Sequence, residues 1–167
     1  KDMLEYMHAF NVDLKAFTDD FYKKYTSGRL QPVLEALKTI KTSGRHLEIT
    51  NLIIPTLNDD LKNFEEMVKW IHCELGNDTV LHLSRYFPMY EMDIQSTPVE
   101  KIQEFYEKAK EYLDYVYLGN VASELGRDTV CPKCGKTVVS REGYFTKADG
   151  LDESGNCKYC GTYIMEN

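Results

Sequence analysis

The chain has 167 residues, of which 43% are hydrophobic and 28% charged, a balance that suits one globular domain plus a small appendage. Its 27 acidic and 20 basic residues leave a net charge of −7, which argues against a nucleic-acid partner or an anionic membrane surface. No run of about 20 apolar residues is present to span a bilayer, and the opening Lys1-Asp2-Met3-Leu4-Glu5 is not a signal peptide.

A helical signal through Met3, Leu4, Met7 and His8 comes first. Phe10 to Lys15 follows as a short strand with polar residues at alternate positions. Leu30 to Ser43 reads as a helix, with Leu30, Val33, Leu34, Leu37 and Ile40 on one face and Gly44 as its stop. Leu47 to Ile54 is the second strand, closed by Pro55. Asn58 or Asp59 is the expected cap of a second helix, whose stripe is Leu61, Phe64, Met67, Val68, Ile71 and Leu75 and whose end is Gly76. Thr79 to Phe87 is the third strand, stopped by Pro88. A capping box is expected next, with Thr97 as N-cap, Pro98 at the first helical position and Glu100 at the third. Ile102, Phe105, Ala109, Tyr112 and Leu113 continue that helix, and Tyr115 to Gly119 is a fourth strand.

The order β-α-β-α-β-α-β implies a parallel sheet with right-handed crossovers. In such sheets functional residues gather at the C-terminal ends of the strands. Here those ends carry Asp13 and Lys15, Thr50 and Asn51, His82 through Phe87, and Gly119-Asn120. Four strands are too few to close a barrel and leave two edges exposed, so the sequence reads as part of a longer protein. The expected division is residues 1–127 as the α/β part and 128–167 as a metal-binding ribbon, with β-formers at Val138-Val139 and Tyr144-Phe145.

The ribbon rests on Cys131 and Cys134 in C-P-K-C-G and on Cys157 and Cys160 in C-K-Y-C-G. A C-x-x-C turn points two thiolates at one ion, and the following glycine lets the backbone fold back beneath it. Two such turns make a closed four-sulfur site with no open coordination position, which suits a structural metal. With no secretory signal, such cysteines favour a reducing, cytoplasmic setting. Zinc is the expected ion, with rubredoxin-like iron as the alternative. Cys73, in a helical stretch, reads as an inert thiol.

Asp13 and Lys15 share one strand face, because side chains alternate with period two. Such a pair can hold an amino acid's zwitterionic head, serve as acid and base, or simply form an ion pair at a strand end. On the third strand, His82, Ser84 and Tyr86 share one face and Leu83, Arg85 and Phe87 the other. Arg85 can clamp a carboxylate or phosphate, or pair with an acidic neighbour. His82 reads as a core histidine or a ligand. Tyr22, Tyr25, Tyr86 and Tyr90 fall in loops beside strand ends, where they line a pocket for a sulfonium or aromatic ligand or act as packing residues.

Several segments together carry a resemblance: Asn11-Val12-Asp13-Leu14-Lys15, then Glu48-Ile49-Thr50-Asn51 running to Ile54-Pro55-Thr56-Leu57-Asn58-Asp59, then His82-Leu83-Ser84-Arg85-Tyr86-Phe87-Pro88, Tyr117-Leu118-Gly119-Asn120, and the paired knuckles. The chain resembles the C-terminal half of radical S-adenosylmethionine enzymes of the AmmeMemoRadiSam type, relatives of pyruvate formate-lyase activating enzymes. That resemblance implies an α/β fold: a partial parallel (β/α) barrel of about four strands followed by a rubredoxin-like or zinc-ribbon module. It places Asp13 and Lys15 near the methionine portion of S-adenosylmethionine. Thr50 aligns with an arginine that faces the cofactor in those enzymes. Phe87 aligns with a histidine that contacts the ribose, with Arg85 and His82 nearby, so Thr50 and Arg85 join the expected cofactor residues.

The resemblance also implies reductive cleavage of S-adenosylmethionine at a four-iron four-sulfur cluster in the full-length parent. The C-x-x-x-C-x-x-C loop that binds such a cluster is absent from this sequence, so the chain by itself is expected to be inactive. The expected partners are S-adenosylmethionine, a protein substrate or partner, and the missing N-terminal half-barrel. Two further readings stand beside the enzyme portion: a metal ribbon that recruits a protein on an α/β scaffold, and a rubredoxin-like electron carrier.

Overall fold

Alternation of buried and half-exposed side chains along one strand decides the architecture of the first unit. In the computed structural model, which describes residues 2–165, Leu47, Ile49, Asn51 and Ile53 are buried, and Glu48, Thr50 and Leu52 between them are only partly so. This strand, β2 (His46–Ile53), lies between β1 (Ala9–Asp13) and β3 (Val80–Arg85). β3 pairs in turn with β4 (Val116–Gly119), and all three pairings are parallel. A short helix α1 (Asp19–Phe21) and a π-helical turn (Tyr22–Thr26) precede α2 (Leu30–Thr42), which leads into β2. α3 (Leu61–Leu75) and α4 (Val99–Lys110) make the next two crossovers.

Spatial order equals chain order, β1-β2-β3-β4. Leu34, Leu37 and Ile40 of α2, Phe64, Met67, Val68 and Ile71 of α3, and Ile102, Phe105 and Ala109 of α4 share one core with Leu47, Ile49, Ile53, Leu81 and Leu83. The helices therefore all pack on the face of β2 that carries its odd-numbered residues. Burying each such side chain contributes roughly 1.5–3 kcal/mol. Among the described residues of this unit, no helix covers the opposite face, with Glu48, Thr50 and His82, although parallel sheets are ordinarily covered on both sides.

Several boundaries differ from the sequence expectation, each for a local reason. The opening is a single 3-10 turn, Asp2–Glu5, with Met3 and Met7 exposed and Leu4 partly buried against the core. β1 ends at Asp13, so Lys15 lies just beyond the strand, and β3 ends at Arg85 rather than Phe87.

The cap of α3 is Asp60, whose side chain accepts from Asn63 N at 2.8 Å, not Asn58 or Asp59. Those two residues are used in the turn before it. Asn58 Oδ1 accepts from Ile54 N at 2.7 Å, and its Nδ2 donates to the carbonyls of Lys15 (2.7 Å) and Leu52 (2.8 Å). Asp59 accepts from Thr56 N at 2.8 Å, where Thr56 sits at φ 67. The I-I-P-T-L-N-D segment is thus a staple that ties the C-terminal ends of β1 and β2 together. Asn51 reinforces it from the core, donating to the Leu14 carbonyl at 2.5 Å.

Thr97 is likewise not a helix cap. Pro98 takes that position and makes no side-chain cap bond. The fully buried Thr97 hydroxyl donates to Ile53 O at 2.6 Å and accepts from Tyr86 N at 3.1 Å, which joins β2 to the chain leaving β3. A hydroxyl committed to those two groups has no geometry left for capping.

Contacts within the chain cluster into two units, Lys1–Val121 and Ala122–Asn167. The second unit carries a three-stranded antiparallel sheet, β5 (Thr129–Val130), β6 (Thr137–Glu142) and β7 (Phe145–Lys147). Its buried apolar set is small: Cys131, Val138, Val139, Leu151, Cys157 and Ile164. A unit of that size depends on something besides a hydrophobic core. Among the described residues no helix is long and apolar enough to cross a membrane.

Thr97→Val keeps the shape and removes the hydroxyl, so the Ile53 carbonyl and the Tyr86 N–H lose their buried partner. A loss of about 1–3 kcal/mol is expected in a urea titration of the chain.

Candidate functional site

The two cysteine turns are built alike. Cys131 N donates to Lys136 O and Cys157 N to Thr162 O, at 2.9 and 2.7 Å. Gly135 N and Gly161 N fold back onto the carbonyls of Cys131 and Cys157, at 2.9 and 2.8 Å. Both glycines sit in the left-handed region, at φ 71 and 74, which explains why each knuckle needs glycine after its second cysteine. Cys131 and Cys157 are 1% exposed.

The four sulfurs lie within 4.8 Å of one another, with Cys131–Cys160 and Cys134–Cys157 both at 3.6 Å. A disulfide is about 2.05 Å long, so these are not bonded pairs. A tetrahedron with metal–sulfur bonds of about 2.3 Å has edges of roughly 3.8 Å, which the observed spacing fits. The four thiols could hold one metal ion. The Thr162 hydroxyl, followed by its backbone N–H, lowers the Cys160 thiol to about 6.

The second group of interest is the uncovered face of the four-stranded sheet. Strand register puts Asp13 opposite Thr50, Thr50 opposite His82 and His82 opposite Tyr117, a single row across all four strands. Lys15 Nζ pairs with Asp13 Oδ2 at 2.8 Å, with the two side chains 38% and 53% exposed. The Lys15 backbone N–H donates to the buried Tyr22 hydroxyl at 3.1 Å, which fixes the chain as it leaves β1. Burial raises the Tyr22 phenol above its ordinary value.

Arg85, the fourth residue expected at the cofactor, leaves this row. Its Nε donates to Thr97 O at 2.6 Å, and its guanidinium lies 4.7 Å from the centre of the Phe87 ring. Of the two roles open to the four tyrosines, pocket lining or packing, their burial differs residue by residue. Tyr22 and Tyr86 are buried, whereas Tyr25 and Tyr90 are 45% and 97% exposed. A cavity of about 40 Å³ beside the Asn58 staple, lined by Ala16, Thr18, Asn51, Asn58 and Met67 among others, has room for water but not for a cofactor.

Sequence reasoning missed the residue at the centre of the polar face, Glu48. Its Oε2 lies 3.0 Å from His82 Nε2 and 3.3 Å from Asn11 Nδ2, and its Oε1 lies 3.3 Å from His46 Nε2. Thr50 completes the chain by donating to Asn11 Oδ1 at 2.8 Å. The His82 ring stacks on Tyr117 at 5.5 Å. The available signal was parity: Glu48 and His82 fall on the even, polar positions of neighbouring strands, but their partnership depends on a parallel register that spacing does not supply. The hydrogen bond from His82 is the main cause that holds the Glu48 carboxyl at about 2, against burial that raises it, with His46 and Asn11 adding to the lowering.

No protein-family model matches the chain. It is 40% identical over 159 residues to an uncharacterized protein of Methanocaldococcus jannaschii, MJ0808; the match covers 93% of this chain and 47% of that protein. The chain thus spans about half the length of this curated relative. Among solved structures, a domain of pyruvate-formate lyase-activating enzyme from Bacteroides vulgatus aligns with a TM-score of 0.63 at 16% identity, over 71% of each chain. A radical SAM methyltransferase from Sphaerobacter thermophilus aligns at 0.52 with 20% identity, over 66% of this chain and 33% of that one. At these identities the likeness is one of fold: the chain has a radical SAM-like α/β fold with a four-cysteine cluster and a small antiparallel sheet at its C-terminal side.

Glu48 binds its proton more weakly when folded, about 2 against an ordinary 4.5. The unfolded chain therefore takes up that proton first as pH falls, so this stabilisation is full above 4.5 and is lost on the way down to about 2. Glu48→Gln is expected to flatten the fall in denaturation midpoint across that window; an unchanged acid limb would show that the His82 and His46 contacts do not hold the carboxylate.

Proposed function

We propose that residues 9–119 are the C-terminal half of a radical S-adenosylmethionine barrel of the AmmeMemoRadiSam type, activating-enzyme-like, and that the four-cysteine unit is a structural zinc site joined to it. The observation that carries this reading is the polar row Asp13, Thr50, His82 and Tyr117, on a sheet whose helices cover only the other face. In a closed barrel of this winding, that face is the lumen. The fold likeness to an activating-enzyme domain and to a radical SAM methyltransferase supports the same reading.

On this reading Asp13 and Lys15 exchange their mutual pairing for the ammonium and carboxylate of the cofactor's methionine end, a zwitterion of matching sign and size. Thr50, next in the row, offers a hydroxyl beside them. Arg85 joins only by giving up its bond to the Thr97 carbonyl. A four-iron cluster, when bound, supplies the electron for reductive cleavage of the sulfonium. This sequence holds no C-x-x-x-C-x-x-C loop, and outside the four-cysteine unit its only cysteine is the exposed Cys73 of α3. The cluster ligands would therefore come from the N-terminal half-barrel, which is the partner the open face calls for.

Zinc at Cys131, Cys134, Cys157 and Cys160 is favoured as a closed structural ion, and the spacing of 3.6 Å also accommodates iron. The small buried set of the second unit makes that ion its main organiser. Exposed Tyr144, Phe145, Tyr159 and Tyr163 on the same unit support a protein substrate or partner there. A cytoplasmic setting keeps the thiols reduced.

Metal analysis of the purified chain is expected to give about one zinc per chain and no visible absorption. Iron with rubredoxin-like bands would replace the structural assignment by an electron-transfer one. Cys157→Ser is expected to lose the metal and unfold residues 122–167, seen as collapse of their amide dispersion in NMR. In the full-length protein that carries this sequence, Asp13→Ala is expected to weaken S-adenosylmethionine binding at least about tenfold with the cluster retained; unchanged affinity refutes the Asp13 and Lys15 assignment.

A further inference from the structure

We infer that His82 is a proton-transfer residue on the open polar face of the sheet, held as a proton acceptor by Glu48 and by the Tyr117 ring, for a ligand that presents an N–H, O–H or acidic C–H to that face. The place of the ligand rests on the half-barrel reading. The state of the residue rests on side-chain geometry.

Glu48 is surrounded by groups that can only satisfy it by donating: Asn11 Nδ2, His46 Nε2 and His82 Nε2. The acceptor-only carboxylate also sets the Asn11 amide, turning its nitrogen to Glu48 and its oxygen to the Thr50 hydroxyl, which donates. His82 Nε2 therefore carries hydrogen, and the lone pair of the neutral ring is on Nδ1. Among the described residues, the hydrogen bond to Glu48 is the one His82 makes. Its side chain is 32% exposed, so a ligand on this face can reach the ring.

A histidine that merely completes a core has both nitrogens satisfied. This one has one nitrogen fixed by a carboxylate, its plane fixed by a stacked ring, and the other nitrogen left for a ligand. That is the carboxylate–imidazole arrangement by which a protein sets a tautomer and stabilises the imidazolium that forms.

The step balances simply. The X–H proton of the ligand passes to Nδ1, and the electron pair of that bond stays on X. The new imidazolium is neutralised by the ionised Glu48 beside it, and the proton then returns to the product or to water. Glu48 is the positioning residue. The other charged groups on this face are His46, on the same carboxylate, and Asp13 with Lys15, which are paired with each other. His82 is two strands from Asp13 in the same row, roughly 10 Å at ordinary strand spacing. That separation leaves room for a ligand lying beside the proposed cofactor position rather than in it.

Three measurements test this. Nitrogen-15 NMR of the imidazoles in the folded chain is expected to show His82 as the Nε2–H tautomer, and a mixture of tautomers in Glu48→Ala. A dominant Nδ1–H form, or tautomers unchanged in Glu48→Ala, overturns the inference. Diethylpyrocarbonate, which acylates an accessible imidazole lone pair, is expected to modify His82; an unreactive His82 also overturns it. In the full-length protein, His82→Gln is expected to keep S-adenosylmethionine affinity within about twofold, whereas a loss as large as that of Asp13→Ala assigns His82 to the cofactor and refutes the inference. Should the unmodified full-length protein not bind S-adenosylmethionine, the half-barrel reading fails, and the tautomer and acylation results still decide His82.

Discussion

Everything in the first unit follows from the packing of three helices on one face of a parallel sheet. Strands in sequential order, with every crossover on the same side, bury the odd positions of β2 and leave the even positions without a helical layer. An apolar residue on the second face would have no layer to bury it, so that face can carry charge. Glu48, His82, Asp13 and Lys15 sit there at a third to a half exposure, where ion pairs and hydrogen bonds are satisfied without a large desolvation cost. Polar and apolar side chains are thereby separated onto the two sides of one sheet.

The C-terminal ends of the strands are held by three polar side chains rather than by helix caps. Asn58 joins the Lys15 and Leu52 carbonyls, Asn51 reaches the Leu14 carbonyl from the core, and Thr97 joins Ile53 to Tyr86. Each spans segments about 40 residues apart in the chain, and each leaves a buried backbone group unpaired if removed. The consequence is a cross-linked rim at the C-terminal ends of β1, β2 and β3. The second unit is organised by another route, two knuckles with matching backbone hydrogen bonds that bring four sulfurs together.

Much of this was legible in residue order. Hydrophobic periodicity located four strands and three helices, because helical and strand periods differ and Gly and Pro punctuate them. The four cysteines were identified as one cluster, since two C-x-x-C-G turns with left-handed glycines have few other uses. Where the reading failed, a polar side chain had two plausible jobs. Thr97 and Asn58 stand where caps belong, but their partners Ile53, Lys15 and Leu52 lie on other strands, and a distant carbonyl outcompeted the local N–H. Arg85 shows the same limit: the alternation of strand faces predicts a side chain's direction but not that the Thr97 carbonyl captures it.

The sequence by itself determined the α/β order, the parallel sheet and the four-cysteine cluster, because these depend on local period and on short fixed spacings. Only the tertiary structure decided that Asp13, Thr50, His82 and Tyr117 form one row and that Glu48 gathers His46, His82 and Asn11 around a single carboxylate. Apart from His46, which neighbours Glu48 on β2, those contacts depend on the register between strands more than 30 residues apart. Register is set by how three helices seat in one common core, a property of the whole packed unit rather than of any segment within it.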